Sequence, residues 1–319
     1  MKKILITGAS GFIGSFLVEK ALEMGWETWA GIRKSSSREY LKDARIRFID
    51  LNFSNKEKLK EQIRSHVAEH GKWDYIIHNA GITKHVHLYD FHKVNFKNTA
   101  NFICILQHTE NIPEKFILMS SLSAFFPEKS AYGRSKLNAE KYLEFRSKLP
   151  YLIIRPTGVY GPREKDYLKM MKTVDKGFEL TVGTKPQRLT FIYVTDLVQA
   201  VFLALKSNIT RKTYTVSDGK VYSDSEYAGL VKKVLGKKSI LRIRVPLFLL
   251  YIVSIISECF GKICGKPTTL NRDKYKIMKQ RDWTCSNQAF VDDFGFKPKY
   301  DLEKGLKATA KWYKQNGWI

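Results

Sequence analysis

The sequence predicts an α/β protein: a doubly wound parallel sheet with helices on both faces, followed by a smaller, mainly α lobe. Strand and helix signals alternate through the first half of the chain, which is the order that builds parallel sheets. A glycine-rich turn joins the first strand directly to the first helix. After Gly161-Pro162 the pattern becomes irregular and ends in an amphipathic helix at Leu302–Gln315. We therefore expect a first domain at residues 1–165, with residues 189–206 returning to it, and a second lobe at 166–319.

Six short runs rich in branched and aromatic residues predict the strands of the sheet. They are Ile4–Thr7, Thr28–Ile32, Arg47–Asp50, Tyr75–His78, Lys115–Ser120 and Leu152–Arg155. Between them, apolar residues recur with helical spacing. These helical segments are Phe16–Met24, Lys56–His70, Val94–His108 and Tyr132–Lys148. Ligands of such sheets bind beyond the carboxyl ends of the strands, so the residues that follow the strands are the first candidates for a site.

The turn after the first strand has the glycine spacing of a nucleotide-binding loop. Gly8, Gly11 and Gly14 stand at three-residue intervals, after the apolar run Ile4–Ile6. Gly8 allows the tight turn, Gly11 lets the backbone approach a pyrophosphate, and Gly14 lets the helix pack closely on the strand. The free amides at the N-terminus of a helix also favour a phosphate group. The sequence therefore predicts that a nucleotide binds at this turn.

The chain has an excess of basic residues. Its 319 residues include 55 Lys and Arg but 31 Asp and Glu, which gives a net charge of +24. Such a balance favours anionic partners, namely phosphorylated cofactors, acidic membrane surfaces or nucleic acid, and a basic solvated surface explains it equally well. The sequence has no recognisable nucleic-acid motif, so we expect no nucleic-acid partner.

The cysteines favour a reducing compartment such as the cytoplasm. Cys104, Cys259, Cys264 and Cys285 include no pair with C-x-x-C spacing, and histidines do not cluster near them. We therefore expect neither a metal site nor a disulfide framework. The longest apolar stretch, Val245–Ile256, is shorter than the ~20 residues that a membrane-spanning helix needs.

Tyr132 and Lys136 have the spacing of an acid–base pair. Four residues apart on a helix, they share one face. A nearby ammonium favours the phenolate, so the tyrosine could exchange a proton with an alcohol or a ketone near neutral pH. Ser121, in the serine cluster at residues 120–123, could orient the substrate oxygen by a hydrogen bond. Asn95, on the preceding helix pattern, could hold a water for a proton relay or could be an ordinary helix asparagine.

Several motifs together resemble the extended short-chain dehydrogenases/reductases of the epimerase/dehydratase superfamily. In one-letter code they are TGASGFIG at residues 7–14, DL at 50–51, HNAG at 78–81, the serine cluster, Tyr132 with Lys136, RPTGVYGP at 155–162 and FIYVTDL at 191–197. The resemblance covers essentially the whole chain. It implies a Rossmann domain, an NAD(P)-dependent enzyme, and Ser121, Tyr132 and Lys136 as the catalytic triad.

The resemblance also implies which residues contact the cofactor. Asp50 and Leu51 would flank the adenine, and Ala80 and Gly81 would line the dinucleotide. Residues 156–159 would approach the nicotinamide. The full set of candidate contacts is Gly8, Ser10, Gly11, Phe12, Ile13, Gly14, Arg33, Lys34, Asp50, Leu51, Asn79, Ala80, Gly81, Lys136, Pro156, Thr157, Gly158 and Val159.

The end of the second strand predicts NADP(H) as the preferred cofactor, with NAD(H) as the alternative. NAD-binding members usually have an acid there, which holds the ribose 2′-hydroxyl. In this chain Ile32 stands at that position, and Arg33 and Lys34 follow. Cations suit a 2′-phosphate, although they could also be surface residues of a basic protein.

In this superfamily the C-terminal lobe selects the substrate. Here the basic segment Lys237–Arg244 precedes the apolar stretch Val245–Ile256, an arrangement similar to the branch of 3β-hydroxysteroid dehydrogenases and dihydroflavonol reductases. An apolar helix flanked by cations fits a membrane interface, and equally a helix buried in the lobe. Ten residues separate Ser121 from Tyr132, where many extended members have a longer loop, so nucleotide-sugar contacts do not transfer to this chain.

Three functions remain open. We expect first an NADP(H)-dependent oxidoreductase that interconverts a secondary alcohol and a ketone on a lipophilic, steroid-, sterol- or flavonoid-like small molecule. The alternative is a nucleotide-sugar epimerase, dehydratase or reductase. A further alternative is a non-catalytic dinucleotide-binding protein, against which the intact triad argues. The resemblance also implies a homodimer formed by the helices at 94–108 and 132–148, and the stretch 245–256 favours peripheral contact with the inner face of a membrane.

Overall fold

The computed structural model describes residues 1–265, 268 and 270–319, which form two compact units. The first unit comprises Met1–Arg155 and Val198–Tyr214, and the second comprises Pro156–Leu197 and Thr215–Ile319. That the first unit binds the cofactor and the second unit binds the substrate stays a prediction.

The strands are β1 Lys3–Thr7, β2 Glu27–Gly31, β3 Arg47–Ile49, β4 Tyr75–His78, β5 Lys115–Met119, β6 Tyr151–Pro156, β7 Gly158–Tyr160, β8 Phe178–Val182, β9 Arg188–Leu189, β10 Phe191–Tyr193, β11 Lys212–Val216, β12 Tyr222–Ser223, β13 Leu241–Val245 and β14 Asp282–Trp283. The helices are α1 Phe12–Glu23, α2 Lys56–His70, α3 Tyr89–Phe91, α4 Asn98–His108, α5 Ala131–Arg146, α6 Asp166–Asp175, α7 Val194–Lys206, α8 Asp224–Leu235, α9 Leu247–Ile263, α10 Arg272–Lys279, α11 Gln288–Phe294 and α12 Leu302–Gln315. A π-helical turn at His92–Lys97 joins α3 to α4, and a 3-10 turn at Leu122–Phe125 precedes α5.

The first unit is built on a seven-stranded sheet with the strand order β11-β6-β5-β4-β1-β2-β3. Strands β3, β2, β1, β4, β5 and β6 pair in parallel, each with the next. This order reverses at β1, as in a doubly wound fold, and it confirms the predicted fold class. The carboxyl ends of β1, β2, β4 and β5 therefore lie at one edge of the sheet, where the candidate residues follow them.

The glycine turn leads directly into α1, which begins at Phe12 and not at Phe16 as predicted. The Ser15 amide donates to the Gly11 carbonyl at 2.9 Å, so the helix starts as soon as the turn ends. At Gly14 a Cβ would lie 2.1 Å from the Gly8 carbonyl oxygen. The helix thus packs on the turn at a distance that requires glycine.

Helix α5 is held against the 3-10 turn that follows β5. Its N-cap is Ser130, whose hydroxyl accepts a hydrogen bond from the Gly133 amide at 2.8 Å. A Cβ at Gly133 would lie 2.3 Å from the Ser123 carbonyl oxygen, so this contact also requires glycine. The close approach fixes the first turn of α5, which carries Tyr132.

The second unit combines helices with short strands. Strands β8 and β13 form a parallel two-stranded ribbon, in which Leu241 pairs with Phe178 and Val245 with Val182. The apolar stretch predicted from Val245 therefore begins as a strand end, and the helix α9 runs from Leu247 to Ile263. None of the helices in the described part of the chain has the length and apolar character needed to cross a bilayer.

Candidate active site

The glycine turn has the geometry that a dinucleotide pyrophosphate needs. Gly8 has a φ of +66°, and a Cβ on it would lie 2.9 Å from the backbone of Ala80. The N-cap of α1 is Gly11, which has no side chain to satisfy the amides of the first helical turn. The amides of residues 12–14 thus remain available to an anion, which the helix dipole also favours. The residues at this turn fit the phosphates of a dinucleotide.

The loop after β4 lies against the glycine turn. The Ala80 amide donates to the Thr7 hydroxyl at 3.1 Å, and Asn79 Nδ2 donates to the Gly8 carbonyl at 3.4 Å. The structure therefore brings the predicted contacts Asn79 and Ala80 to the edge of the sheet where Gly8 turns.

The loop after β2 presents cations beside a carboxylate. Ile32 is buried, whereas Arg33 and Lys34 are exposed. The Lys34 amide donates to the Asp50 carboxylate at 3.3 Å, which brings the ends of β2 and β3 together, and Leu51 is buried beside them. Ile32 has no acceptor for a ribose hydroxyl, while the two exposed cations can bind a phosphate.

The hydroxyl groups of Ser121 and Tyr132 are hydrogen-bonded to each other. Ser121 caps the 3-10 turn after β5, and its Oγ accepts from the Ser123 amide at 3.1 Å. The Tyr132 ring packs edge-on against the buried Phe91, with the centroids 6.1 Å apart. Burial raises the pKa of Tyr132 above its ordinary value, and the bond to Ser121 acts in the opposite direction. Tyr132 therefore holds its proton at neutral pH.

Lys136 is buried one helical turn after Tyr132. Its ammonium donates to the Met119 carbonyl oxygen at 2.7 Å. Burial lowers the pKa of Lys136 to about 8, and Glu140 acts in the opposite direction. The spacing of the pair suggested that the ammonium lowers the pKa of Tyr132. The pKa of Tyr132 is raised instead, because burial of the phenol has the larger effect.

Asn95 lies in the π-helical turn and fixes the loop after Gly81. Its Oδ1 accepts from the Ile82 amide at 2.8 Å, and its Nδ2 donates to the Ile82 carbonyl at 3.0 Å and to Ser135 Oγ at 3.1 Å. A Cβ on Gly81 would lie 3.0 Å from Asn95 Oδ1 and 3.5 Å from Lys136 Nζ. Both amide hydrogens of Asn95 are thus engaged, and its role in a water relay stays a prediction.

Near Lys136 lies an ion pair of two charged residues to which the sequence motifs assign no role. Glu140 is buried on α5, and Arg155 at the end of β6 binds its carboxylate through Nε at 3.0 Å and Nη2 at 2.5 Å. The spacing did contain a signal, because Glu140 follows Lys136 by four residues and shares its helix face.

The remaining predicted cofactor contacts, Pro156 to Val159, belong to the second unit. There the Thr157 amide donates to the Val216 carbonyl and the Gly158 amide to the Thr190 carbonyl, both at 3.2 Å. A Cβ on Gly158 would lie 2.4 Å from the Tyr167 hydroxyl, so a larger residue here would require the Tyr167 side chain to shift.

Comparison with known proteins finds relatives that include a ceramide reductase and nucleotide-sugar enzymes. The ceramide reductase of Caulobacter vibrioides is 24% identical over 319 residues, which cover 99% of this chain and 96% of that protein. The UDP-glucose 4-epimerase of Vibrio cholerae is 26% identical over 338 residues, which cover 98% of this chain and 96% of that protein. Among solved structures, the UDP-glucose 4-epimerase of Thermotoga maritima with UDP-glucose has a TM-score of 0.77 at 22% identity, covering 98% of this chain and 99% of that chain. At that identity, the structural similarity shows a shared fold.

The sequence matches the model of the family described as "NAD dependent epimerase/dehydratase family" over residues 4–217, which is more than half of the chain. This range contains the glycine turn, Ser121, Tyr132 and Lys136, and it confirms the resemblance seen in the motifs. The chain belongs to the NAD dependent epimerase/dehydratase family and is an enzyme of the extended short-chain dehydrogenase/reductase type.

Proposed function

We propose that this enzyme is an NADP(H)-dependent oxidoreductase that interconverts a secondary alcohol and a ketone on a lipophilic substrate. The observation that carries the proposal is the arrangement of Ser121, Tyr132 and Lys136 in the first unit. A protonated phenol is hydrogen-bonded to a serine hydroxyl and precedes a buried ammonium by one helical turn. A non-catalytic dinucleotide-binding protein has no need for this lysine, since burying an ammonium costs free energy.

In the reduction direction, these residues act on the carbonyl oxygen of the substrate. Ser121 donates a hydrogen bond to this oxygen and orients it. The carbonyl carbon would receive a hydride, which is the chemistry that a nicotinamide cofactor would supply when bound. Tyr132 transfers its proton to the oxygen, so the ketone becomes a secondary alcohol. Lys136 stabilises the phenolate that Tyr132 becomes, because its positive charge lies one turn away.

The residues after β2 support the preference for NADP(H), with NAD(H) as the alternative. The buried Ile32 replaces the acid that would hold a ribose 2′-hydroxyl. The exposed guanidinium of Arg33 and ammonium of Lys34 suit the two charges and three oxygens of a 2′-phosphate.

The similarity to ceramide reductase supports a lipophilic substrate, because that relative is named for a lipid and its similarity extends over 99% of this chain. The exposed surface of the second unit supports it independently. Helix α9 buries one stripe, formed by Leu250, Ser254 and Gly261. Its exposed large apolar residues are Phe248, Leu249, Tyr251, Ile252, Val253, Ile255, Ile256, Phe260 and Ile263. A surface helix normally presents polar side chains to water, so such a face needs an apolar cover.

The ribbon of β8 and β13 has a second exposed apolar face. Phe178 lies beside Leu241 and Leu180 beside Ile243, and all four are exposed. Because side chains alternate along a strand, the charged residues occupy the opposite face, where Arg242 pairs with Glu179 at 2.9 Å. Strand β13 ends two residues before α9 begins, so the two apolar faces follow each other in the chain.

We also propose that an anionic membrane surface covers these two faces, at the inner side of a membrane bounding the cytoplasm. Residues 237–281 contain 11 Lys and Arg but 2 Asp and Glu, and cations beside an apolar face suit acidic lipid headgroups. A second copy of the chain would bring the same cations together, which disfavours it as the cover. The 17 residues of α9 are fewer than the ~20 needed to span a bilayer, which favours a helix lying in the interface.

The proposed homodimer forms through α4 and α5, which pack on each other in the first unit. The resemblance to the superfamily suggests this interface. The exposed aromatic ring of Phe145 on α5, 73% accessible to solvent, supports it because a partner would cover this ring.

A nucleotide-sugar epimerase, dehydratase or reductase is the second candidate. The similarity to the Vibrio cholerae epimerase favours it, and the basic second unit could bind a diphosphate. The short connection of ten residues between Ser121 and Tyr132 weighs against it, since it leaves out the longer loop of many extended members.

A substrate panel tests the proposal. The purified enzyme is assayed with NADPH and NADH against steroid-, flavonoid- and ceramide-like ketones and against UDP-glucose, by cofactor absorbance and by chromatography of the products. We expect NADPH oxidation with at least one lipophilic ketone, and its loss in Tyr132→Phe. Turnover of UDP-glucose with no turnover of any ketone would replace the proposal by the second candidate.

A further inference from the structure

A buried carboxylate lies near Lys136, and the proposed reaction does not use it. Glu140 is 2% exposed and follows Lys136 by one turn of α5. It accepts a hydrogen bond from the Ser120 hydroxyl. Its two oxygens bind Nε and Nη2 of Arg155 at 3.0 and 2.5 Å, and the Phe125 ring covers the guanidinium at 4.3 Å.

This network connects the elements that surround Lys136. Ser120 follows Met119, whose carbonyl oxygen accepts the hydrogen bond from the Lys136 ammonium. Through Ser120 and Arg155, the carboxylate of Glu140 joins the ends of β5 and β6 to α5. Apolar side chains could fill the same space at less cost in desolvation, so the buried charges point to a role beyond packing.

We infer that Glu140 is a positioning residue for Lys136: its carboxylate keeps the lysine ammonium charged and directed at the Met119 carbonyl. The inference rests on the proposed function in one respect, the role of Lys136 beside Tyr132, and its test uses the predicted contact of Lys136 with the cofactor.

The titratable groups around Lys136 and its neighbour Glu140 lie on three elements. Burial lowers the pKa of Lys136 to about 8, and Glu140 on α5 opposes this. His78 on β4 is neutral, because burial lowers its pKa to about 3, and Tyr132 on α5 holds its proton. Arg155 on β6 is a cation that Glu140 pairs with. Of these neighbours in the described part of the chain, Glu140 alone is an anion, so its loss should make Lys136 deprotonate near neutral pH.

The pH dependence of NADH binding tests this inference without a substrate. NADH is the probe because it lacks the 2′-phosphate, which would itself titrate near pH ~6. We expect the wild-type affinity, followed by fluorescence, to fall with a midpoint near pH 8 as Lys136 loses its charge. Glu140→Gln keeps the shape but not the charge, so its midpoint should lie about 1–2 units lower. The exposed Glu144 lies one turn further along α5, and Glu144→Gln should keep the wild-type midpoint.

Two further variants make each outcome decisive. Lys136→Met should bind NADH without this midpoint, and a wild-type midpoint there would overturn the assignment of Lys136 in the proposed function. The double variant Glu140→Gln/Arg155→Met also removes the guanidinium that Glu140→Gln alone would leave unpaired, so it carries the test if thermal unfolding shows that Glu140→Gln does not fold. A lowered midpoint in either folded variant supports the inference. A wild-type midpoint in that variant, with Lys136→Met behaving as expected, overturns the inference alone.

Discussion

In the proposed function, the exposed guanidinium of Arg33, just after β2, distinguishes NADPH from NADH. We expect Arg33→Ala to weaken NADPH binding by about 10- to 150-fold, because a charge-assisted hydrogen bond contributes ~1.5–3 kcal/mol. The affinity for NADH should not change, since NADH has no phosphate at the 2′ position. Fluorescence titration of the purified variant with both cofactors measures the difference.

Arg146→Ala is the matched control for this prediction. Arg146 is an exposed cation at the end of α5, and its removal should leave both affinities unchanged. If Arg33→Ala lowered the two affinities equally, the guanidinium would act on something that the cofactors share, and the assignment to the 2′-phosphate would be wrong.

The proposed reaction also depends on the proton of the Tyr132 hydroxyl. Tyr132→Phe keeps the ring that packs on Phe91 and removes the hydroxyl, so the variant should fold and bind cofactor normally. Its kcat should fall by about 10²- to 10⁴-fold, the usual contribution of a general acid. Tyr142→Phe, on the same helix, removes a hydroxyl outside the candidate site and should retain the wild-type kcat. Near-wild-type turnover in Tyr132→Phe would mean that the proton comes from another group.

Sequence reasoning found the residues whose relation is local. Tyr132 and Lys136 share a helix face by spacing alone, and the glycine turn follows a strand directly. Glu140 and Arg155 are 15 residues apart and come together because β6 lies beside β5 and near α5. The raised pKa of Tyr132 could not be predicted from the sequence either, because burial is a property of the folded chain.

At the scale of elements, the placement of α5 depends on a contact that leaves no room for a methyl group. In Gly133→Ala the new Cβ would lie 2.3 Å from the Ser123 carbonyl oxygen. We expect a loss of about 1–3 kcal/mol in the free energy of unfolding, and a lower kcat because Tyr132 moves away from Ser121. Urea denaturation and steady-state kinetics measure the two effects.

The interior of α8 offers a matched substitution. A Cβ on Gly229 meets no atom within 4 Å, so Gly229→Ala should stabilise the protein by about 0.5–1 kcal/mol and leave kcat unchanged. A Gly133→Ala variant that resembled Gly229→Ala in both measurements would contradict the tight contact between α5 and the turn.

Two helices with clear signals at their N-termini were predicted to the residue, and the apolar helix of the second unit was not. Helices α2 and α12 begin after Asn55 and Asp301, whose side chains accept from the amides three residues later, and both have a polar face. The apolar run 245–256 has no polar face, so its period indicates neither where α9 begins nor which side is exposed. Strand β13 overlaps the segment Lys237–Arg244, which its cations mark as basic; the alternation of its arginines with apolar residues is a strand signal that this interpretation left unused.

For the whole molecule, the net charge of +24 and the apolar faces of the second unit should both contribute to membrane binding. We expect the enzyme to sediment with vesicles that contain acidic lipids and not with purely zwitterionic vesicles. Binding should weaken as salt rises, because ions screen the attraction between the lysines and the headgroups. Equal binding to both kinds of vesicle would contradict the proposed electrostatic contribution.

A paired substitution separates the apolar contribution from the charge. Phe248 and Ile256 on α9 are 69% and 63% exposed, so Phe248→Asp/Ile256→Asp should not destabilise the fold but should abolish vesicle binding. The control is Ile112→Asp, which adds a carboxylate at an exposed apolar residue of the first unit and should retain most of the binding. Full binding by the α9 variant would show that this helix is not the contact.

Because residues His92–Lys97 form a π-helical turn, the number of residues in this segment sets the orientation of the side chains before and after it. A π turn is closed by bonds five residues apart, so it accommodates a residue that a regular α-helix would not. Each residue of an α-helix advances the chain by about 100° around the axis. A one-residue deletion here would therefore rotate the chain on one side of the turn relative to the other. Either Asn95 would lose its hydrogen bonds to Ile82 and Ser135, or the buried face of α4 would turn away from the core. An insertion or deletion in this segment would thus change where the side chains on either side of it point, even if every contact residue were kept.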